Sequence, residues 1–183
     1  LKNLVTLDLS STRVGDGIGG IGRLPQLTHL YLSDTKIGDS GVRGISVSQS
    51  LATVDLSRTR VQDDGATWLA RVVSLENVSL AETTVGDQCA RSLGTLPDIV
   101  KLNLSQTRVG DRGLQNCSKV AYLDVSGTKV TELGLCQLLH RPDGLHPRLI
   151  DITGTGIRAV GDFRAVQQEG RWILRPPFRP KDE

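Results

Sequence analysis

Residues 99–114 read Ile99-Val100-Lys101-Leu102-Asn103-Leu104-Ser105-Gln106-Thr107-Arg108-Val109-Gly110-Asp111-Arg112-Gly113-Leu114. From Lys101 to Leu104 polar and apolar side chains alternate, the period of a short strand with one buried face. Thr107 stands where the chain must leave that strand, and its hydroxyl can bond backbone groups that a turn leaves exposed. Asp111, four residues on, is of a type that caps a helix N-terminus, and Gly113-Leu114 open an apolar stretch. The segment therefore predicts strand, turn and short helix.

The same reading holds from one end of the chain to the other. The threonine recurs as Thr12, Thr35, Thr59, Thr83, Thr107, Thr128 and Thr155, at spacings of 23, 24, 24, 24, 21 and 27 residues. Three residues earlier stand Leu9, Leu32, Leu56, Leu80, Leu104, Val125 and Ile152, and five earlier Leu7, Leu30, Val54, Val78, Leu102, Leu123 and Ile150. Two residues later comes Val or Ile in every copy. Four later come Asp16, Asp39, Asp63, Asp87, Asp111 and Glu132, and ten later Ile45, Leu69, Leu93, Cys117 and Leu138. Such a unit cannot bury its apolar edge alone, whereas stacked units bury one another's. The stacked threonines are expected to form a ladder, and each acid is expected to cap the helix of its own copy.

The pattern LxxLxLxxTxVxDxGL resembles the leucine-rich-repeat family over about residues 1 to 160, and its V-x-D-x-G-L ending is similar to the cysteine-containing subtype found in F-box adaptors. Thr stands here where that subtype has Cys or Asn, and no F-box segment occurs. The resemblance implies an α/β solenoid, a horseshoe with a parallel concave sheet and short helices or turns on the convex side. It also implies a module that binds proteins, or the substrate-recognition part of a ubiquitin-ligase adaptor. An extracellular or surface repeat domain is a further alternative.

The bulk composition agrees with thin layers. Apolar residues make up 38% and aromatics 3%, so the core must consist of Leu, Val and Ile. A formal charge of +2 is no signature of a nucleic-acid or membrane-surface binder, and no run of residues is apolar enough to span a bilayer. The three cysteines, Cys89, Cys117 and Cys136, make no CxxC pair, which argues against a zinc cluster or disulfide caps and suggests an intracellular, cytoplasmic setting. There is no Met, and Leu1-Lys2-Asn3-Leu4 already lie within a repeat. A piece of a longer protein is expected.

The copies differ. The fifth is short, predicting a convex segment of a turn or so. The sixth is long, predicting a loop over His140–Pro147. The repeat domain is expected over 1–160, followed over 161–183 by a cap strand, Arg171-Trp172-Ile173-Leu174-Arg175, and an extended Pro/Arg-rich tail. Arg171, Arg175, Arg179 and Lys181 with Trp172 and Phe178 could form a basic-aromatic strip; a cap strand and a plain tail is the preferred reading.

For function, no phosphate loop, nucleophile constellation or metal set occurs in the sequence, and the expectation is a non-catalytic chain without cofactor, metal or small-molecule substrate. A protein partner is expected on the concave sheet, through His29, Tyr31, Asp34, Arg58, Glu82, Lys101 and Tyr122, with Tyr31, His29, Arg58 and Tyr122 as a dominant patch, because Tyr and Arg are frequent interface anchors. Asp8, Asp55, Asp124 and Asp151 share one strand column and are read as solvated acids, with Asp124 and Asp151 adjacent and able to attract a cation. Cys89 and Cys117 are assigned to the interior, Cys136 to the surface with no base expected beside it. Asn77, Asn103 and Asn116 each open an N-x-S triplet, and sugars on the first two would obstruct the concave face.

Overall fold

The computed structural model describes residues 1–140, 145–160 and 163–175. The segment 141–144 of the expected convex loop and the tail from Pro176 lie outside the described residues.

Seven three-residue strands fall on the alternating segments: β1 (Thr6–Asp8), β2 (His29–Tyr31), β3 (Thr53–Asp55), β4 (Asn77–Ser79), β5 (Lys101–Asn103), β6 (Tyr122–Asp124) and β7 (Leu149–Asp151). Each pairs in parallel with the next, and the register matches the threonine count, as in Thr53↔Asn77↔Lys101↔Tyr122. The central residue of each strand points inward, and from β2 onward it is buried, as are Leu32, Leu56, Leu80, Leu104, Val125 and Ile152 three residues before each Thr. The opposite side carries α1 (Asp39–Ile45), α2 (Asp63–Leu69), α3 (Asp87–Leu93) and α4 (Glu132–Leu139), with 3₁₀ segments over Asp16–Arg23 and Asp111–Lys119. The short fifth coil thus keeps a nine-residue convex segment, contrary to expectation. Only Val120 and Ala121 separate that segment from β6, so the residues saved come from the returning loop.

Every threonine hydroxyl donates to the carbonyl three residues earlier, at 2.6–2.7 Å, from Thr12 to Leu9 through Thr155 to Ile152. The hydroxyls stack from coil to coil, but each bond stays within its own coil. The residue before each Thr explains why the turn needs this tie. Ser11, Asp34, Arg58, Glu82 and Gln106 have φ of 53–58°, and Gly127 and Gly154 occupy the same place. A left-handed residue with a Cβ costs about 1 kcal/mol, and the hydroxyl bond helps to hold it.

The acid column works differently from its expected role. Asp16, Asp39, Asp63, Asp87 and Asp111 open their helices rather than precede them, and none caps its own. Each instead caps the following coil. Asp63 Oδ1 accepts from the N–H groups of Gly86 (2.7 Å) and Cys89 (3.2 Å), Asp87 from Gly110 (2.7 Å) and Gly113 (3.1 Å), and Asp16 from Gly38 (2.7 Å) and Gly41 (3.1 Å). Asp111 binds both the N–H and the hydroxyl of Thr131. The first helical amides, which no residue of their own helix can satisfy, are thereby met from the neighbouring coil. This explains the glycines at 65 and 134: a Cβ there would run into the carboxylates of Asp39 and Asp111.

After β7 the parallel order ends. β8 (Ala159–Val160), β9 (Phe163–Gln168) and β10 (Arg171–Arg175) follow, and β10 pairs antiparallel with both β7 and β9, giving one sheet of order β1-β2-β3-β4-β5-β6-β7-β10-β9-β8. The Arg171–Arg175 segment therefore lies along the β7 edge, where Ile173 and Leu174 are buried with Ile150 and Ile152. The hairpin partner β9 had no signal in the repeat pattern.

Candidate functional site

The exposed strand positions form two rows across the concave sheet, and the structure separates the residues expected to act together. His29 and Tyr31 lie on β2, half-buried; His29 Nδ1 is 2.7 Å from Thr28 Oγ1, and Tyr31 stands between Asp8 and Asp55 in the strand register. Asp34, Arg58 and Glu82 are exposed and sit beyond the strands, at the left-handed turn position. Arg58 and Glu82 pair at 3.3 Å with both side chains about half exposed, so the contact contributes only tenths of a kcal/mol. Lys101 and Tyr122 face each other on β5 and β6, with the ammonium 5.7 Å from the ring centre. Four strand spacings, about 19 Å, separate β2 from β6. His29, Tyr31, Arg58 and Tyr122 therefore do not form one patch.

Side chains converge at the other end of the sheet. Lys101, Asn103, Tyr122, Asp124, Leu149, Asp151 and Arg171 surround a hollow of about 510 Å³. Arg171 reaches back from β10: Nη2 lies 2.8 Å from Asp124 Oδ2, and Nε lies 2.5 Å from Asp151 Oδ2. Asp151 is 2% exposed, and this ion pair is what its Oδ2 meets, since that oxygen accepts no aligned hydrogen bond among the described residues. The two neighbouring acids thus attract a cation from within the chain. Their other oxygens shape the turns: Asp124 Oδ1 accepts from the N–H and hydroxyl of Ser126, and Asp151 Oδ1 from those of Thr153. Asp55 and Asn103 do the same with Ser57 and Ser105. This column is therefore a set of turn-forming residues, solvated at Asp8 and buried at Asp151. At Asp8 the N–H and hydroxyl of Ser10 hold the carboxyl below the usual carboxylate range.

Sequence reasoning missed Arg171 and Leu149 as parts of one site. The adjacent carboxylates at 124 and 151 were the available signal, but the antiparallel register that brings Arg171 to them has no counterpart in the repeat. Of the basic-aromatic strip, only Arg171 and Trp172 have described side chains. Arg171 is paired, and Trp172 packs half-buried under Arg158, 4.1 Å from guanidinium carbon to ring centre. Phe178, Arg179 and Lys181 lie outside the described residues.

The cysteines divide as expected in burial. Burial pushes the Cys117 thiol up to about 12 and, with Asp63 nearby, raises Cys89 well above its ordinary value, so neither is a nucleophile. Cys136 is exposed and, contrary to expectation, has a base beside it: Sγ lies 3.6 Å from His140 Nδ1, one helical turn on. That nitrogen also lies 3.1 Å from the Cys136 carbonyl oxygen. Asn77 and Asn103 occupy the concave face as expected, and Asn103 is engaged by Ser105. Among the described residues no group of three or more His, Cys, Asp or Glu could hold a metal ion, and no helix is long and apolar enough to cross a membrane.

The family model described as Leucine Rich repeat matches residues 24–46 and 47–70. A leucine-rich-repeat protein of Leptospira interrogans superposes on 83% of this chain with a TM-score of 0.62 at 16% identity. The fold is a leucine-rich-repeat solenoid. An internalin of Listeria monocytogenes is also similar, at 17% identity over 70% of this chain with a TM-score of 0.47. The chain spans 38% and 42% of the lengths of those two chains. No curated protein matches it in sequence. The Leptospira superposition supports the parallel layers of the solenoid.

Proposed function

We propose that this solenoid is a non-catalytic protein-interaction module whose concave sheet holds a protein partner, with the hollow between β5, β6, β7 and β10 at its centre. The observation that carries this reading is the convergence there of an exposed tyrosine, an apolar Leu149, the open ammonium of Lys101 and a fixed Asp124–Arg171–Asp151 cluster. Interfaces draw most of their energy from a few aromatic and charged anchors that enter shaped, desolvated places. A partner side chain seated on Tyr122 and Leu149 can offer a carboxylate to Lys101 while its backbone meets the charged floor. The wider sheet, about 29 Å across seven strands, accommodates a standard interface. His29, Tyr31, Asp34, Arg58 and Glu82 then form its flank.

The test is affinity capture from a lysate with the natural chain and with a Lys101→Glu/Tyr122→Ala variant of unchanged melting temperature. A partner retained by the first and lost by the second is the expected result. A partner retained equally by both contradicts the reading.

A further inference from the structure

A second row runs along the edge of the solenoid, one residue past each threonine: Arg13, Lys36, Arg60, Thr84, Arg108 and Lys129, before Gly156 ends it. Five of the first six are basic, and all six are exposed. Their backbones are held firmly. Lys36 N donates to Val14 O at 2.9 Å, Arg60 N to Ile37 O at 2.8 Å, Arg108 N to Val85 O at 2.9 Å and Lys129 N to Val109 O at 2.9 Å. The row therefore repeats at the strand spacing and extends about 24 Å from the first coil to the sixth.

No described carboxylate forms an ion pair with it. Among the described residues none of the five forms an ion pair, whose members are Arg58, Glu82, Arg171, Asp124 and Asp151. Glu82 faces Arg58, and in the Asp column three residues further on Oδ1 of Asp16, Asp39, Asp63 and Asp87 accepts from amides of the next coil instead of meeting the row. Asp34 is the remaining exposed acid at the turn. Like charges on successive coils repel, so the fold gains nothing from this arrangement.

We propose that this edge is a second interaction surface, independent of the concave sheet, that takes an acidic, extended protein segment lying across the coils. Seven or eight extended residues cover about 24 Å, so a run of Asp and Glu can meet the Arg13-Lys36-Arg60 group and, past the gap at Thr84, the Arg108-Lys129 pair. A single-stranded nucleic acid would call for aromatic platforms along the row. Among the described side chains there are none: Trp68 packs on the convex side between Arg43 and Arg71, Trp172 in the cap, and Tyr31 and Tyr122 on the concave sheet.

The experiment is a fluorescence-anisotropy titration of the full chain with a labelled ten-residue polyglutamate peptide at low salt. An Arg13→Gln/Lys36→Gln/Arg60→Gln variant is compared with an Arg23→Gln/Arg112→Gln/Lys119→Gln variant, which removes the same charge from the convex side. The row variant should weaken binding about tenfold or more, the control much less, and the melting temperature of the row variant should stay level or rise. Equal losses in both variants, or no binding by the natural chain, overturn the proposal. Tighter binding of a single-stranded oligonucleotide of equal charge also overturns it, in favour of a nucleic-acid surface.

Discussion

The two halves of the concave sheet are made by the same repeat and end up chemically unlike. On β2–β4 the exposed side chains meet mostly their own coil or the next: His29 meets Thr28, Asp55 meets Ser57, and Ser57 meets Ser79. On β5–β7 the same columns carry Lys101, Tyr122 and Leu149, and a strand of opposite direction adds Arg171 above two carboxylates. The repeat builds a flat frame, and the place where the repeat stops turns one end of that frame into a site.

Removing residues 163–183 should have the largest effect. It uncovers Ile150 and Ile152 and deletes Ile173 and Leu174, a loss of roughly 3–6 kcal/mol from apolar burial, seen as a lower urea midpoint and light scattering from aggregates. A monomeric truncated chain with an unchanged midpoint would mean that β10 seals nothing. Arg171→Ala, which leaves the buried Asp151 carboxylate without its cation, should cost about 2–3 kcal/mol, because the partly exposed guanidinium moderates the penalty. Tyr31→Ala on the flat half should cost less in the same denaturation assay, and the reverse order would erase the contrast between the halves.

Two further substitutions sharpen what the frame itself requires. Asp63→Ala frees two amides of the next coil and should cost about 2 kcal/mol, whereas Thr83→Ala loses one bond within its own coil and should cost about 1 kcal/mol. Ser79→Ala, which loses only a hydroxyl contact to Ser57, should change the melting temperature least. The smallest effect at neutral pH concerns Cys117. Its folded thiol is raised to about 12, so the unfolded chain ionises first and stability should fall as pH climbs from about 9 towards 12. Cys117→Val should flatten that decline in pH-dependent thermal melts.

Much of the fold was legible because it rests on local, periodic choices. The alternation around Leu102 and Leu104 and the threonine spacing located all seven parallel strands. What stayed hidden required knowing which coil a side chain addresses. Asp63 reads as a cap, yet nothing in its local sequence says that it serves Gly86 and Cys89 instead of its own helix. Arg58 and Glu82 read as surface choices, while their positive φ becomes visible only in the folded turn. The hollow was least legible, because Arg171 meets Asp124 across 47 residues by an antiparallel pairing that breaks the repeat.

The most direct measurement is parallel affinity capture with two double variants, Lys101→Glu/Tyr122→Ala on the hollow and His29→Ala/Tyr31→Ala on the flat half, each matched in melting temperature to the natural chain. Loss of the partner by the first variant alone is the predicted result. Retention by the first with loss by the second would place recognition on the flat half and contradict the role given to the hollow.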